Sequence, residues 1–266
     1  MKAYAEWGSE KVVIDKIEPT HYVRNFLVMK LVKKYASRKG VKNICEIGCG
    51  TGSLSIELGR GGFSVDASDL DKNAIELANK FNRHSNVKYT SQNILGIKSK
   101  KKYDMVIAIE VLEHIPEDTK ALSKIEGILR EEGLLLITVP IHEKYRREFD
   151  NRSGHIRRYV PKDLIEKIKS RGFRMIYARY FNFPLLWMWY FYAYLPYSNK
   201  KENKMKSEGA GKKLPVWIKI MNIINKAFLA DLIFNSKKYS TNILVIAQKN
   251  PQMNVNTEDI TVKNIR

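Results

Sequence analysis

The chain has 266 residues, of which 44% are hydrophobic and only two are cysteine. This length and apolar content predict one α/β domain with an insertion, and the cysteine count excludes a disulfide framework, so we expect a reducing, cytoplasmic setting without a signal peptide. The 47 basic and 28 acidic side chains give a net charge of +19, with the excess concentrated in residues 144–174 and 198–240. A solvated basic surface explains this excess, as does binding to anionic lipid, a phosphorylated substrate or RNA.

A helical N-terminal segment is predicted over residues 1–40, with its clearest periodicity from Thr20 to Ala36, where it could close over a bound ligand. A strand then runs from Asn43 to Ile47 into alternate glycines, and a helix opens near Leu54. His21, within the first helix, has no motif around it, so a surface or core position suffices for it.

The glycine loop predicts a ligand site at the end of this first strand. Gly48, Gly50 and Gly52 let the backbone approach a ligand or take positive φ, and Cys49 lies between them. The spacing G-x-G-x-G departs from the dinucleotide pattern G-x-G-x-x-G. The carboxylate of Glu46 would repel a phosphate, which favours a neutral or cationic adenosine-type ligand.

A second acidic position ends the next strand, predicted from Phe63 to Ser68. Asp69 at that strand tip can accept hydrogen bonds from both hydroxyls of a ribose, and Leu70 can lie along an adenine face. Asp71 is interpreted instead as the N-cap of a helix over Asn73 to Phe81.

The remaining pattern alternates strands and helices. Further strands are predicted at Val87–Thr90, Tyr103–Ile109, Leu134–Val139, Arg174–Tyr180 and Asn242–Ala247. Such alternation predicts a doubly wound, seven-stranded, mainly parallel sheet that is covered on both faces. Ligands of these sheets bind beyond the carboxyl ends of the strands, where Glu46, Asp69, Asn93 and Glu110 all fall.

Four ordered motifs between about residues 40 and 180 resemble the class I S-adenosylmethionine-dependent methyltransferases. They are E-I-G-C-G-T-G at Glu46, the acid Asp69, Y-D-M-V-I-A-I-E-V-L-E-H-I from Tyr103, and L-R-E-E-G-L-L-L-I-T-V-P from Leu129. The resemblance implies a Rossmann-like methyltransferase fold that binds S-adenosylmethionine. We expect contacts with this cofactor from Glu46, Gly48, Cys49, Gly50, Gly52, Asp69, Leu70, Asn93, Ile94 and Glu110. Asn93 stands where the family often has an acid near the adenine amino group.

Candidate catalytic residues follow the fourth strand. Glu110, Glu113 and His114 form an E-x-x-E-H run that one short helical turn could bring together, with His155 as a later partner. The run resembles the metal-binding segment of small-RNA 2′-O-methyltransferases and of ubiquinone-pathway O-methyltransferases, which implies a Mg²⁺ or similar ion held by these four side chains. The alternative is direct general-base or positioning work by His114 without a metal.

An insertion is predicted over residues 181–238, between the sixth strand and a last strand within 239–249, with a flexible tail over 250–266. It opens with a run dense in Phe, Trp and Tyr, from Tyr180 to Tyr197, and a lysine-rich loop follows. Three interpretations remain open: a helical cap over the catalytic domain, a membrane-surface element that admits a lipid-linked substrate, and, less favoured, base stacking with RNA.

The sequence therefore predicts a methyltransferase acting on a small or lipid-linked acceptor, most plausibly at oxygen, in the cytoplasm or peripheral to the membrane. The alternatives are a metal-assisted RNA 2′-O-methyltransferase and a non-catalytic S-adenosylmethionine-binding adaptor.

Overall fold

The computed structural model describes residues 19–97, 100–146, 148–182 and 236–250. Its helices are α1 (Pro19–Lys39), α2 (Ser53–Arg60), α3 (Lys72–Phe81), α4 (Asp118–Ile128), α5 (Glu148–Arg152) and α6 (Pro161–Lys169). Its strands are β1 (Asn43–Ile47), β2 (Ser64–Asp69), β3 (Val87–Ser91), β4 (Tyr103–Ile109), β5 (Leu129–Pro140), β6 (Phe173–Phe181) and β7 (Asn242–Lys249). Single 3₁₀ turns lie at Ile94–Gly96, Leu112–His114 and Glu143–Tyr145.

The strands form one sheet in the order β3-β2-β1-β4-β5-β7-β6. Pairing is parallel from β3 to β5, whereas β7 runs antiparallel to both β5 and β6. The strand order reverses at β1, because the chain first builds outwards to β3 and then returns to place β4 on the other side. A crevice therefore opens above the carboxyl ends of β1 and β4, which is where such sheets bind their ligands. The predicted α/β, mainly parallel architecture is confirmed.

Helices cover both faces of this sheet, so alternate residues of each strand enter different cores. On β1, Ile44 packs in a cluster with residues of α1, α2 and α3, while its neighbour Cys45 packs in the opposite cluster with residues of α4 and α6. Both cysteines are buried and unpaired, as the sequence predicted. Helix α1 contributes Leu27, Val28 and Leu31 to the first cluster, which seats it over the glycine loop side of the sheet.

All seven predicted strands are present, and six agree with the prediction to within two residues at each end. The fifth is longer, because it starts at Leu129, which pairs with Tyr103, rather than at Leu134. Its residues 130–132 are exposed and polar, and Glu132 has φ +58°. Exposed polar residues leave no apolar pattern in the sequence, so this part of the strand was not predicted.

The predicted insertion joins two antiparallel neighbours at one end of the sheet. The amide of Thr241 donates to the carbonyl of Asn182 at 3.1 Å, so the chain leaves β6 and re-enters β7 at the same place. The aromatic run from residue 183 and the lysine-rich stretch up to residue 235 lie outside the described residues, as do residues 1–18 and 251–266. Within the described ranges, no helix is both long enough and apolar enough to cross a bilayer.

A carboxylate at the start of β4 fixes the start of β1. Asp104, 7% exposed, accepts hydrogen bonds from the backbone amides of Lys42 at 2.7 Å and Asn43 at 2.8 Å, and its other oxygen lies 3.0 Å from Arg130. We expect Asp104→Ala to lower the free energy of unfolding by about 3 kcal/mol, because two backbone donors lose their partner. Urea unfolding measures this change. Lys39→Ala is the control, since its exposed pair with Glu132 contributes under about 0.5 kcal/mol; equal losses in both variants would contradict the role given to Asp104.

Candidate active site

The glycine loop between β1 and α2 is shaped for contact with a ligand. Gly50 has φ +52°, and within the described chain no atom lies within 4 Å of the place where its Cβ would be. Gly52 has φ +80°, and a Cβ there would lie 2.4 Å from the hydroxyl of Tyr89. Gly50 therefore leaves the backbone open to a ligand, while Gly52 leaves room for the buried Tyr89 against the loop.

Asp69 connects the tip of β2 to this loop. Its carboxylate accepts from the amide of Gly50 at 2.8 Å and from the amide of Asp71 at 2.9 Å. Leu70 beside it is 66% exposed, which leaves its side chain available to an adenine ring. The interpretation of Asp71 as a helix cap is confirmed, since its side chain accepts from the amides of Asn73 and Ala74.

Glu46 is a buried acid at the base of a cavity of about 170 Å³. Burial raises the pKa of Glu46 to about 7, and a hydrogen bond from the hydroxyl of Ser55 opposes the rise. The cavity is lined by His21, Arg24, Asn25, Glu46, Gly48, Cys49, Gly50, Thr51, Ser53, Leu54 and Ile109. Four of the predicted cofactor residues therefore share one cavity: Glu46, Gly48, Cys49 and Gly50.

Helix α1 supplies three lining residues that the sequence did not single out: His21, Arg24 and Asn25. The buried Nε of Arg24 has no hydrogen-bond partner among the residues that the structure describes. Its positive charge acts to lower the pKa values of both Glu46 and Glu113. The sequence did predict that α1 could close over the ligand, which pointed to this helix. Its pattern did not show which of its residues face the loop.

Asn93 and Ile94 follow β3. The side chain of Asn93 accepts from the amide of Leu95 at 2.9 Å and so caps a 3₁₀ turn. Ile94 is 5% exposed and packs in the hydrophobic cluster with Cys45 and Ile47. Both residues therefore have a structural role. Their predicted contacts with adenine stay predictions.

Glu110 is held in a strained backbone conformation, with φ +54°. Its carboxylate accepts from the hydroxyl of Thr138 on β5 at 2.7 Å and from the amide side chain of Asn242 on β7 at 2.9 Å. Two neighbouring strands therefore fix the position of this acid at the edge of the crevice. Neither partner was predicted, because Thr138 and Asn242 lie 28 and 132 residues from Glu110 in sequence.

Three of the predicted catalytic residues come together beside the crevice. One ligand atom from each of Glu113, His114 and His155 lies within 4.8 Å of the others, and the two imidazole rings meet edge to face at 4.8 Å between centroids. Glu113 is fully buried, and neither of its carboxylate oxygens has a hydrogen-bond partner in the described ranges. Burial, and then the charge of Glu110, raise the pKa of Glu113 well above its ordinary value. The carboxylate of Glu110 itself is engaged by Thr138 and Asn242 rather than gathered into this group.

The histidines differ in their surroundings. The Nδ1 of His114 lies 3.1 Å from the carbonyl oxygen of Gly154, and burial, then His155, lower the pKa of His114. The Nε2 of His155 lies 4.0 Å from Glu113. His142, by contrast, contacts the carbonyl of Lys237 at 2.6 Å, outside this group.

The basic stretch 144–174 is not a uniform set of free cations. Many of its side chains pair with acids at 4.0 Å or less: Arg146 with Glu143, Arg152 with Glu148, Arg157 and Lys167 with Asp118, Arg158 with Asp150, and Lys162 with Glu166. These pairs reduce the charge that this stretch presents to an RNA or a membrane.

The sequence matches known proteins over this part of the chain. A family model described as a methyltransferase domain matches residues 20–178. The chain is 33% identical over 127 residues to a protein of Geobacillus sp. (strain WCH70) named as a methyltransferase, covering 46% of this chain and 50% of the relative. It is 30% identical over 115 residues to the ubiquinone biosynthesis O-methyltransferase of Rickettsia akari (strain Hartford), covering 42% and 46%. The chain spans about half the length of these curated relatives.

The fold also matches solved structures. One is the magnesium protoporphyrin IX methyltransferase of Synechocystis PCC 6803 with bound S-adenosylhomocysteine, with a TM-score of 0.55, 14% identity, and 86% of this chain and 84% of that one covered. At this identity the match shows the shared fold alone.

The raised pKa of Glu46 predicts a pH dependence of stability. A pKa of about 7 in the folded state against an ordinary 4.5 means that the folded state holds the proton more tightly, so stability falls as pH rises from 4.5 to 7. We expect this loss to approach about 3 kcal/mol in the wild type and to be absent in Glu46→Gln. Urea unfolding of both proteins across that range measures it. Parallel pH profiles for the two proteins would show that Glu46 titrates normally.

Proposed function

Because the chain belongs to the class I S-adenosylmethionine-dependent methyltransferases, we propose that it transfers a methyl group from S-adenosylmethionine to a hydroxyl oxygen of a small or lipid-linked acceptor. The observation that supports this most directly is the geometry of Asp69 and Gly50, 2.8 Å apart, beside a cavity that holds Glu46 and Arg24. An acid suited to a ribose, an open backbone, and an acid and a guanidinium in one cavity together support a site for the cofactor.

The groups of the cofactor find matching partners in this crevice. Each oxygen of Asp69 accepts one backbone amide, and each retains a lone pair for a ribose hydroxyl. The methionyl end of the cofactor carries an ammonium and a carboxylate. Glu46 and the unpaired Nε of Arg24 supply the complementary charges in the cavity. Ionisation of Glu46 is costly in the free protein, and a bound ammonium would favour it.

The transfer itself is an in-line displacement. The acceptor oxygen forms a bond to the methyl carbon, the carbon–sulfur bond breaks, S-adenosylhomocysteine leaves, and the acceptor proton passes to a base. His114 is suited to accept this proton. Its lowered pKa keeps the imidazole neutral at pH 7, and the residue lies just past the end of β4.

The group of Glu113, His114 and His155 also fits a divalent cation. Within the described part of the chain, both carboxylate oxygens of the buried Glu113 have no hydrogen-bond partner, which is costly without a positive charge nearby, and two imidazoles lie within reach. A set of two imidazoles and one carboxylate suits zinc, manganese or iron better than magnesium, which prefers oxygen ligands. A bound cation would polarise an acceptor hydroxyl. A His114 nitrogen that binds the cation cannot also accept the proton, so its two roles are alternatives.

The proposal of an oxygen acceptor draws on the O-methyltransferase of Rickettsia akari. The aromatic run that begins at Tyr180 supports two further proposals, a lipid-linked acceptor and contact with a membrane through residues 180–238. The acid pairing of the basic stretch 144–174 weakens binding of either RNA or a membrane through that stretch, and RNA remains the alternative acceptor.

Two neighbouring acids provide a matched test of the cofactor site. We expect Asp69→Ala to weaken binding of S-adenosylmethionine by roughly 100-fold or more, because two charge-assisted hydrogen bonds and the anchor of the loop are lost. Asp71→Ala should lose about 1 kcal/mol of stability, as an N-cap does, and keep its affinity. Calorimetric titration with S-adenosylmethionine and S-adenosylhomocysteine measures both. Failure of the wild type to bind either ligand would overturn the proposed function, and equal affinity in all three proteins would remove Asp69 from the site.

Transfer of tritiated methyl groups tests the acceptor and the base. With lipid extract, soluble metabolites and total RNA as separate acceptor pools, we expect label in the lipid or soluble pool in a base-stable form, as a methyl ether is. His114→Asn should lower kcat roughly 100-fold or more without changing cofactor affinity, whereas His84→Asn, between α3 and β3, should have no effect. Adding a chelator to the wild type separates the two roles of His114. Activity should be lost if His114 binds a cation and should remain if His114 acts as the base. Label found only in RNA would favour the RNA methyltransferase instead.

A further inference from the structure

A buried charged cluster lies directly behind His155. The Nδ1 of His155 is 2.8 Å from a carboxylate oxygen of Asp150, whose side chain is fully buried. Arg158, with a side chain 4% exposed, donates from Nε and Nη2 to the two oxygens of Asp150 at 3.0 and 3.1 Å. The backbone amide of His155 also donates to the carbonyl of Asp150 at 2.8 Å. Main chain and side chain therefore both fix this histidine to Asp150.

These contacts determine which nitrogen of His155 carries the hydrogen. A carboxylate that receives two hydrogen bonds from a guanidinium is ionised and can only accept, so Nδ1 must be the N–H. Whenever the ring is neutral, Nε2 then carries the lone pair, and Nε2 lies 4.0 Å from Glu113. The carbonyl of Gly154 likewise can only accept, so Nδ1 of His114 is also the N–H and its Nε2 is unprotonated. Both histidines thus keep a lone pair on Nε2 for the same small group of side chains.

Stability is a poor explanation for this cluster. A buried carboxylate and guanidinium must both be removed from water, and well-packed apolar side chains of the same volume are often as stabilising or more so. What apolar side chains cannot do is select a histidine tautomer. A carboxylate behind the ring does so, and it raises the basicity of the opposite nitrogen.

We propose that Asp150 and Arg158 are positioning residues, which hold His155 as the Nδ1–H tautomer with Nε2 directed at Glu113 and His114. Arg158 acts through Asp150, and Asp150 acts through His155; neither touches the reacting atoms. This inference rests on the proposed function, in which His155 belongs to the group beside the methyl acceptor.

The tautomer can be observed without turnover. Long-range ¹H–¹⁵N correlation of labelled protein at about pH 8, where an ordinary histidine is neutral, reports which ring nitrogen is protonated. We expect His155 of the wild type to be protonated at Nδ1, and Asp150→Asn to shift it towards the Nε2–H form, because an amide can also donate to Nδ1. Titration with Zn²⁺ alone should show affinity lowered roughly 10- to 100-fold in this variant, with affinity for S-adenosylmethionine unchanged.

Asp118 offers a control of the same kind. It is 3% exposed and pairs with Arg157 and Lys167, and its contacts do not include His155 within the described ranges. Asp118→Asn should lose stability and leave the tautomer and the Zn²⁺ affinity unchanged. Should Asp150→Asn fail to fold because Arg158 is left without its acid, the double variant Asp150→Asn/Arg158→Met, which removes both charges, should show a shift of the same sign.

A folded Asp150→Asn, or failing that Asp150→Asn/Arg158→Met, that keeps His155 in the Nδ1–H form would overturn the proposal, as would an equal shift in Asp118→Asn. Failure of the proposed function is seen separately. It would appear as a wild type without cofactor binding or methyl transfer, while the tautomer measurement would still judge the role of Asp150.

Discussion

The parallel pairing of β1 with both β2 and β4 is the constraint on which the rest of the site depends. The carboxyl ends of parallel strands meet at one edge, so the glycine loop after β1, Asp69 at the tip of β2 and Glu110 after β4 leave the sheet side by side. Asp104 fixes the other end of the same pairing, through the amides that begin β1. A site for a ligand with separate sugar, base and charged parts follows from this geometry.

Acidic side chains are concentrated at that edge, and the fold only partly offsets the cost of ionising them. Glu46 and Glu113 are buried, and burial is the first cause of the raised pKa of each. Arg24 on α1 is the described cation whose charge opposes both rises. A cationic sulfonium or ammonium, and a divalent metal, are the species such a field would favour. In the proposed site, the unfavourable burial of these acids in the free protein would favour binding of such a cation.

Two buried carboxylates, Asp118 and Asp150, have different roles in the structure. Asp118 receives Arg157, Lys167 and the hydroxyl of Tyr159, and so ties α4 to the segment that leads into α6. Asp150 instead contacts Arg158 and His155, and its contact with His155 leads towards Glu113 and His114. Asp118 and Asp150 are similarly buried, but Asp118 joins two parts of the fold, whereas Asp150 orients His155 in the proposed site.

The sequence by itself determined the strands and the positions of the glycine loop and of Asp69. Strand periodicity, glycine spacing and the acid at a strand tip are local patterns, which is why β1, β4, the loop and Asp69 were predicted at or within a residue of their observed positions. The start of β5 was missed because its exposed residues carry no apolar pattern. Only the tertiary structure decided that Arg24 of α1 lines the cavity, that Asn242 and Thr138 hold Glu110, and that Asp150 and Arg158 stand behind His155. These contacts join side chains whose meeting depends on how helices and strands pack across the sheet, and packing of that kind leaves no periodic trace along the chain.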